Sequence, residues 1–166
     1  MKDISLTYIE TPLGSMIAYA TDFGVCMLDF HDSDKLNIKL KSMNKNMLCN
    51  IVNAETPILK NLKSELEEYF TGKRQQFTVP LHLVGSDFQK AVWNELLKIP
   101  FGKTTSYKQI AENIGNIKAV RAVANANACN KISLIVPCHR VIGSDGSLTG
   151  YAGGLDRKSR LLKLEK

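Results

Sequence analysis

No apolar run in this sequence approaches the roughly 20 residues that a membrane-spanning helix needs. None of its cysteines, Cys26, Cys49, Cys129 and Cys138, stands in a CxxC pair. The first absence argues against a helical membrane protein, and the second leaves no structural zinc knuckle to read. The opening Met1-Lys2-Asp3-Ile4-Ser5 lacks the apolar core of a signal peptide, so the expectation is a cytoplasmic protein. There the cysteines are expected to be thiols, and burial as a small apolar side chain is the ordinary fate of a free cysteine. Internal repeats and low-complexity tracts are missing too. What is present is 166 residues, 44% hydrophobic and 23% charged. That is ordinary globular usage, which excludes a disordered chain, a collagen-like repeat and a disulfide miniprotein. The length suits one large domain or two small ones.

Charge is uneven. Residues 1–85 carry 9 basic and 10 acidic side chains, a net of −1, whereas residues 86–166 carry 13 and 6, a net of +7. A half with this excess either meets a polyanion or is simply a soluble basic surface.

The first half reads as strands followed by a helix, an α/β domain over 1–85 with a small antiparallel sheet. Ile4–Tyr8, Met16–Thr21 and Val25–Phe30 are strand-like, with turns at Leu13-Gly14-Ser15 and Thr21-Asp22-Phe23-Gly24. Residues 33–50 give no clear pattern. Thr56-Pro57 is an N-cap followed by proline at the first helical position. Ile58, Leu59, Leu62, Leu66, Tyr69 and Phe70 then recur at helical spacing up to Gly72. Residues 72–85 read as a strand or linker.

The second half, 86–166, reads as a mainly helical domain resembling a winged helix-turn-helix, making the whole an α+β protein. Ser86-x-x-Gln89 and Ser106-x-x-Gln109 are capping-box patterns. The first opens a helix carrying Phe88, Ala91, Val92, Leu96 and Ile99. The second opens a helix with Ile110 and Ile114 that Gly115 is placed to stop. Lys118–Asn127 then forms a second helix, giving a helix-turn-helix outline. Its small residues Ala119, Ala122, Ala124, Ala126 and Ala128 alternate with Val120, Arg121, Val123, Asn125 and Asn127. Such a helix either packs closely on another helix or lies tightly in a DNA groove, where Arg121 could fill the gap left by an extruded base.

Ile132–Val136 has strand character and leads into Pro137-Cys138-His139-Arg140-Val141. Pro137 fixes its own φ and pushes Val136 towards an extended conformation. A thiol becomes a good nucleophile on deprotonation, which a neighbouring imidazole assists. In extended chain, adjacent residues point to opposite faces. Cys138 and His139 would therefore meet only if the backbone turned, or through a bridging water. A carboxylate from elsewhere could orient His139. A buried cysteine beside a structural histidine remains the alternative.

Around this dipeptide stands an ordered set: Phe88-Gln89-x-x-Val92-Trp93, Ile99-Pro100-x-Gly102-x-x-x-Ser106-Tyr107, Arg121-Ala122-Val123 and Asn130. It continues with Ile135-Val136-Pro137-Cys138-His139-Arg140-Val141-Ile142, Gly150-Tyr151-Ala152-Gly153-Gly154-Leu155 and Lys158-x-x-Leu161-Leu162-x-x-Glu165. The set resembles the 6-O-alkylguanine-DNA alkyltransferases, over essentially all of residues 86–166. The first half is similar to that family's α/β domain, with weaker motifs.

The resemblance implies a suicidal repair reaction on double-stranded DNA. The helix-turn-helix would enter the minor groove through Ala119, Arg121, Ala122, Val123, Asn125 and Ala126. The damaged nucleotide would flip into a pocket, with Arg121 taking its place in the stack. Cys138 would take the alkyl group from O6 of guanine, and also from O4 of thymine. His139 would accept the thiol proton through a water, with Glu165 holding His139. Tyr107 would donate a hydrogen bond to the departing base, and Asn130 would hold the active-site turn. Val141, through its carbonyl, together with Tyr151, Ala152 and Gly153, would read and enclose the base. Ala152 stands where many members carry serine, and Gly153 is small, so the pocket is expected to accept alkyl groups larger than methyl. The resemblance implies no metal and no organic cofactor, no membrane partner and action as a monomer. The pattern of Cys26, Cys49, His31 and His82 gives no zinc set. The competing readings are a non-catalytic module that recognises alkylated DNA, a cysteine hydrolase built on Cys138 and His139, and a plain DNA-binding protein.

Overall fold

The structure is a computed structural model that describes residues 2–166. Its contacts divide the chain into two compact units, one ending at Gly85 and the other spanning Ser86–Lys166.

In the first unit, β1 (Lys2–Thr11), β2 (Gly14–Thr21) and β3 (Gly24–Phe30) form an antiparallel meander through two-residue turns. Both turns use the same device: Thr11 Oγ1 donates to Gly14 O at 2.6 Å and Thr21 Oγ1 to Gly24 O at 3.4 Å. Gly24 is required for a further reason. A β-carbon there would sit 2.5 Å from Pro80 O, because Val25 N donates to that carbonyl at 2.9 Å. The loop at 80–82 thereby covers the outer edge of β3.

The segment without a readable pattern forms α1 (Leu36–Asn46) and β4 (Cys49–Asn53). β4 joins β1 in parallel, so the sheet order is β3-β2-β1-β4 and the sheet is mixed. The expected antiparallel sheet is thus present as three strands, with a parallel fourth added. Register places Ile4, Ile17, Tyr19 and Met27 on one face, where Leu36 and Met43 of α1 cover them. On that face Lys39 Nζ meets Asp29 Oδ2 at 2.7 Å, both buried.

The opposite face receives α2 (Pro57–Phe70), which contacts β1, β2 and β3. Thr56 caps α2 by accepting from Leu59 N, and Pro57 begins it. Leu59, Leu62, Leu66 and Tyr69 are all buried at helical spacing. Each such leucine contributes roughly 1.5–3 kcal/mol. Residues 72–85 form a loop anchored by buried Glu65, whose carboxylate accepts from Thr78 N and Val79 N.

In the second unit, α3 (Asp87–Leu96) opens with a complete capping box between Ser86 and Gln89. β5 (Thr105–Ser106) leads into α4 (Tyr107–Asn113). Ser106 caps α4, but the Gln109 side chain turns instead to Asn113 Oδ1 at 2.9 Å. Only half of that capping box therefore forms. Gly115 follows at φ +81°, a left-handed position that ends the helix without a side-chain clash. The second helix of the pair is divided into a 3-10 turn at Ile117–Ala119 and α5 (Val120–Ala128). α5 packs on both α3 and α4, and Trp93 Nε1 of α3 donates to Ala126 O at 2.9 Å.

Residues 133–135 are a tight turn, preceded by a single bridge residue at Ile132, rather than the expected strand over 132–136. Leu134 lies at φ +73°. Val136 N bonds back to Ile132 O at 3.0 Å and Ile135 N to Ser133 O at 2.9 Å. The run is apolar because every residue in it is buried, not because it lies in a sheet. A 3-10 turn at Cys138–Arg140, β6 (Val141–Ile142) and α6 (Leu155–Leu164) complete the unit. β6 pairs with β5 in parallel.

Candidate active site

The Cys138-His139-Arg140 turn is the centre of the second unit's polar interior. All three residues are buried. Asn130 builds the approach to it. Its Nδ2 donates to Val136 O at 2.8 Å and to Ile132 O at 3.4 Å, while its Oδ1 accepts from Ile132 N at 3.0 Å. One buried side chain so supplies bonds that a sheet ladder would have made. Cys138 N adds a bond to the same Val136 carbonyl at 2.8 Å.

Because the backbone turns at 138–140, the alternation assumed for extended chain does not apply. His139 is fully buried and its Nε2 lies 2.8 Å from Glu165 Oε1. An ionised carboxylate only accepts, so Nε2 carries the proton in neutral His139 and Nδ1 carries the lone pair. Nδ1 is buried and has no hydrogen-bond partner in the protein. Burial pushes the His139 pKa down, and Arg140 and Lys158 push the same way. The bond and charge of Glu165 oppose them, and the net shift is downward. The imidazole is therefore an uncharged base at neutral pH, with a carboxylate ready to stabilise it once it takes a proton.

Glu165 caps the C-terminal end of α6 and is 2% exposed. It is held from a second side by Arg140, whose Nε donates to Oε2 and Nη2 to Oε1, both at 2.9 Å. Arg140 Nη1 also donates to Ile99 O at 2.7 Å. The turn after α3 completes this arrangement at Gly102. A β-carbon there would stand 2.8 Å from Glu165 O, and φ is +77°. Arg140 and Gly102 carry no assigned role in the sequence reading, although both lie within its recognised motifs. Their partners are distant along the chain, 25 residues apart for Arg140 and Glu165.

A second network adjoins the first. Tyr107, at the start of α4, donates its hydroxyl to Thr149 O at 3.1 Å. Burial raises its pKa, so it remains a phenol and a donor at neutral pH. Lys158 of α6 donates to the same Thr149 carbonyl at 2.7 Å and to Val141 O at 2.6 Å. Val141 is buried in β6; Tyr151, Ala152 and Gly153 are half-buried in the turn before α6. Arg157 Nη1 donates to Gly153 O at 3.2 Å and ties that turn to the helix.

The structure thus brings Cys138, His139, Glu165 and Asn130 into one connected cluster, with Tyr107 and Val141 joined through Thr149 and Lys158. The residues expected at DNA divide. Arg121, Ala122 and Asn125 are exposed on α5, and Ala119 is half-buried. Val123 and Ala126 are only 1% and 3% exposed. These two face inward, towards the helices α5 packs on, whereas the sequence reading sets them with the DNA-contacting residues. Along this helix Ala126 is buried and permits close packing, while Ala122 leaves a shallow exposed face.

Among the described residues, no group of three or more His, Cys, Asp or Glu side chains stands close enough to hold a metal ion. His31 packs edge-on against Tyr8, and His82 Nδ1 lies 2.9 Å from Thr21 Oγ1. Burial pushes the Cys26 thiol up to about 12, which makes it a packing residue. Among the described residues, no helix is long and apolar enough to cross a membrane.

Comparison with known proteins gives a consistent result. Residues 87–166 match the family model described as 6-O-methylguanine DNA methyltransferase, DNA binding domain. Residues 4–83 match that family's ribonuclease-like domain. A methylated-DNA--protein-cysteine methyltransferase of Methanosarcina barkeri is 44% identical over 161 residues, covering 95% of this chain and 94% of that protein. The constitutive methylated-DNA--protein-cysteine methyltransferase of Bacillus subtilis is 41% identical over 161 residues, covering 96% and 94%. The crystal structure of Mycobacterium tuberculosis O6-methylguanine methyltransferase superposes with a TM-score of 0.83 at 37% identity, covering 98% of this chain and 93% of that one. The crystal structure of Mycobacterium tuberculosis OGT in complex with DNA gives a TM-score of 0.81 at 38% identity, covering 99% and 92%.

Proposed function

The chain belongs to the 6-O-methylguanine DNA methyltransferase family, and on that premise we propose that it repairs alkylated duplex DNA by moving the alkyl group from O6 of guanine onto Sγ of Cys138. The observation that carries the assignment to Cys138 is the state of its neighbour. His139 is tied through Nε2 to a buried carboxylate, while its other nitrogen, Nδ1, is a bare base.

The residues would act as follows. Nδ1 of His139 takes the thiol proton through a water, and Glu165 stabilises the imidazolium that forms. The thiolate attacks the alkyl carbon in a direct displacement. A carbon–sulfur bond forms as the carbon–oxygen bond breaks, and the electron pair leaves with guanine O6. The Tyr107 hydroxyl, turned away from the Thr149 carbonyl that accepts it in the free protein, donates its one hydrogen bond to the departing base and weakens the negative charge the base carries away. Asn130 keeps the turn in place. Val141, Tyr151, Ala152 and Gly153 surround the base. The product is a thioether that none of these side chains can cleave, so each molecule reacts once.

DNA would be held at the minor groove by the exposed face of α5. Arg121 would occupy the space of the flipped nucleotide, which costs a few kcal/mol to extrude. The net +7 of residues 86–166 supports phosphate contact. The reading extends to O4 of thymine, to alkyl groups larger than methyl, to action as a monomer and to a cytoplasmic location, with no cofactor in any step.

Cys138→Ala tests the reading. Transfer from a duplex containing 6-O-methylguanine should vanish while binding to that duplex persists. Transfer that survives in this variant would rule out Cys138 as the acceptor.

A further inference from the structure

Lys158 lies within α6 and is fully buried. Its ammonium holds two backbone carbonyls at once, Val141 O at 2.6 Å and Thr149 O at 2.7 Å. A carbonyl oxygen has two lone pairs, so each can accept from a second donor as well. At Thr149 that second donor is the Tyr107 hydroxyl, at 3.1 Å. Both carbonyls change their second partner in the proposed reaction. Tyr107 leaves Thr149 O when it turns to the base, and Val141 O accepts from the base that enters. Lys158 is the partner that stays.

This bears on which bases the pocket tolerates. Within DNA, 6-O-alkylguanine has lost its N1 proton, so its only N–H donor is the 2-amino group. 4-O-alkylthymine has lost its N3 proton and offers no N–H donor. A buried carbonyl that relied on the base alone would be paired by the first and stranded by the second. Sites built that way reject the analogue lacking the donor by roughly 10⁴–10⁵-fold, because their own polar group is left unpaired. Val141 O is not such a group, since Lys158 pairs it whether or not the base brings a donor.

We propose that Lys158 is a positioning residue that sets base tolerance: by keeping the Val141 and Thr149 carbonyls paired while Tyr107 and the base come and go, it lets one pocket accept alkylated bases with and without an amino group. The inference rests on the proposed transfer and on the Val141 carbonyl facing the base.

The test mixes the full-length protein with duplexes that differ at one base: 6-O-methylguanine, 6-O-methylhypoxanthine, which lacks only the 2-amino group, and 4-O-methylthymine. Second-order rate constants for methyl transfer are compared. In the unaltered protein, loss of the amino group should slow transfer by less than about a hundredfold, well short of the rejection expected from a stranded carbonyl. A larger loss would overturn the proposal. In Lys158→Met, Val141 O depends on the base, so the guanine-to-hypoxanthine rate ratio should rise at least about tenfold, and the guanine-to-thymine ratio with it. A residue that only supports the fold would lower all three rates together, so unchanged ratios in a folded variant would also overturn the proposal.

If Lys158→Met does not fold, the comparison of bases in the unaltered protein still decides. No transfer from any of the three duplexes would instead overturn the proposed function. Transfer from 6-O-methylguanine with either comparison failed would leave that function standing and remove the role given to Lys158.

Discussion

Replacing Arg140 with methionine keeps most of its length and removes its charge and all three of its hydrogen bonds. The partner left behind is Glu165, a carboxylate 2% exposed whose remaining contacts then include His139 at 2.8 Å. Breaking a buried pair by deleting one member costs roughly 3–5 kcal/mol, because a buried charge stays behind uncompensated. For a chain of this size that lowers Tm by roughly 6–20 °C. A second effect acts on the chemistry. Arg140 helps hold the His139 pKa down; without it, Glu165 draws a proton onto His139. The imidazole is then charged at a pH where it should be a free base, so the acidic limb of the transfer rate moves to higher pH. Single-turnover transfer from methylated duplex, followed from pH 5 to 8 alongside thermal unfolding, reads both effects. Pairing the change with Glu165→Gln removes the stranded charge, so the double variant should be more stable than the two single losses added together predict. Arg140→Met with less than about 1 kcal/mol of destabilisation and an unmoved pH profile would show that Arg140 neither neutralises Glu165 nor holds His139 uncharged.

Asn130→Ala strips the partner from the buried Ile132 N–H and one of two bonds from Val136 O. It should cost about 2–3 kcal/mol in urea unfolding and slow transfer, and full activity would show that the approach to Cys138 holds its shape unaided. His139 is buried neutral with a lowered pKa, so the unfolded chain binds its proton first. Its contribution to stability is intact above the ordinary histidine pKa of about 6.5 and declines as pH falls below it. His139→Gln should flatten that part of the stability–pH curve, and superimposable curves would contradict the assignment. Arg121→Ala should weaken transfer from duplex DNA far more than transfer from free modified base; equal losses would mean that Arg121 plays no part in flipping.

Local chemistry made several elements legible without tertiary information. Thr56-Pro57 and Ser86-x-x-Gln89 satisfy helix N-termini from within their own four residues, and both caps form as read. Gly115 ends α4 for an equally local reason. α1 escaped because its inward face, Leu36, Lys39 and Met43, includes a lysine that is buried only through Asp29 of β3. Apolar periodicity registers no such residue. β4 escaped because four of its five residues are exposed, leaving no alternation to detect. The 132–136 run misled in the opposite direction: its burial imitates a strand, whereas Asn130, a side chain outside the run, satisfies its backbone.

The site divides along the same line. Cys138 and His139 are adjacent in sequence and were visible as chemistry. Glu165 was visible only through the family's motif. Arg140, Gly102 and Lys158 act through partners 9 to 63 positions away, where spacing along the chain carries no signal. Val123 and Ala126 show the converse, since membership of a small-residue helix does not decide which of its residues face out.

The central claim is that Cys138 itself receives the alkyl group, once. The most direct measurement is the intact mass of the protein after mixing with a duplex carrying a single 6-O-methylguanine, followed by peptide mapping. The expected result is a gain of one methyl group per molecule, located on Cys138 and saturating there. No gain in mass by folded, reduced protein that still binds the duplex, or a methyl group on another residue, would contradict it.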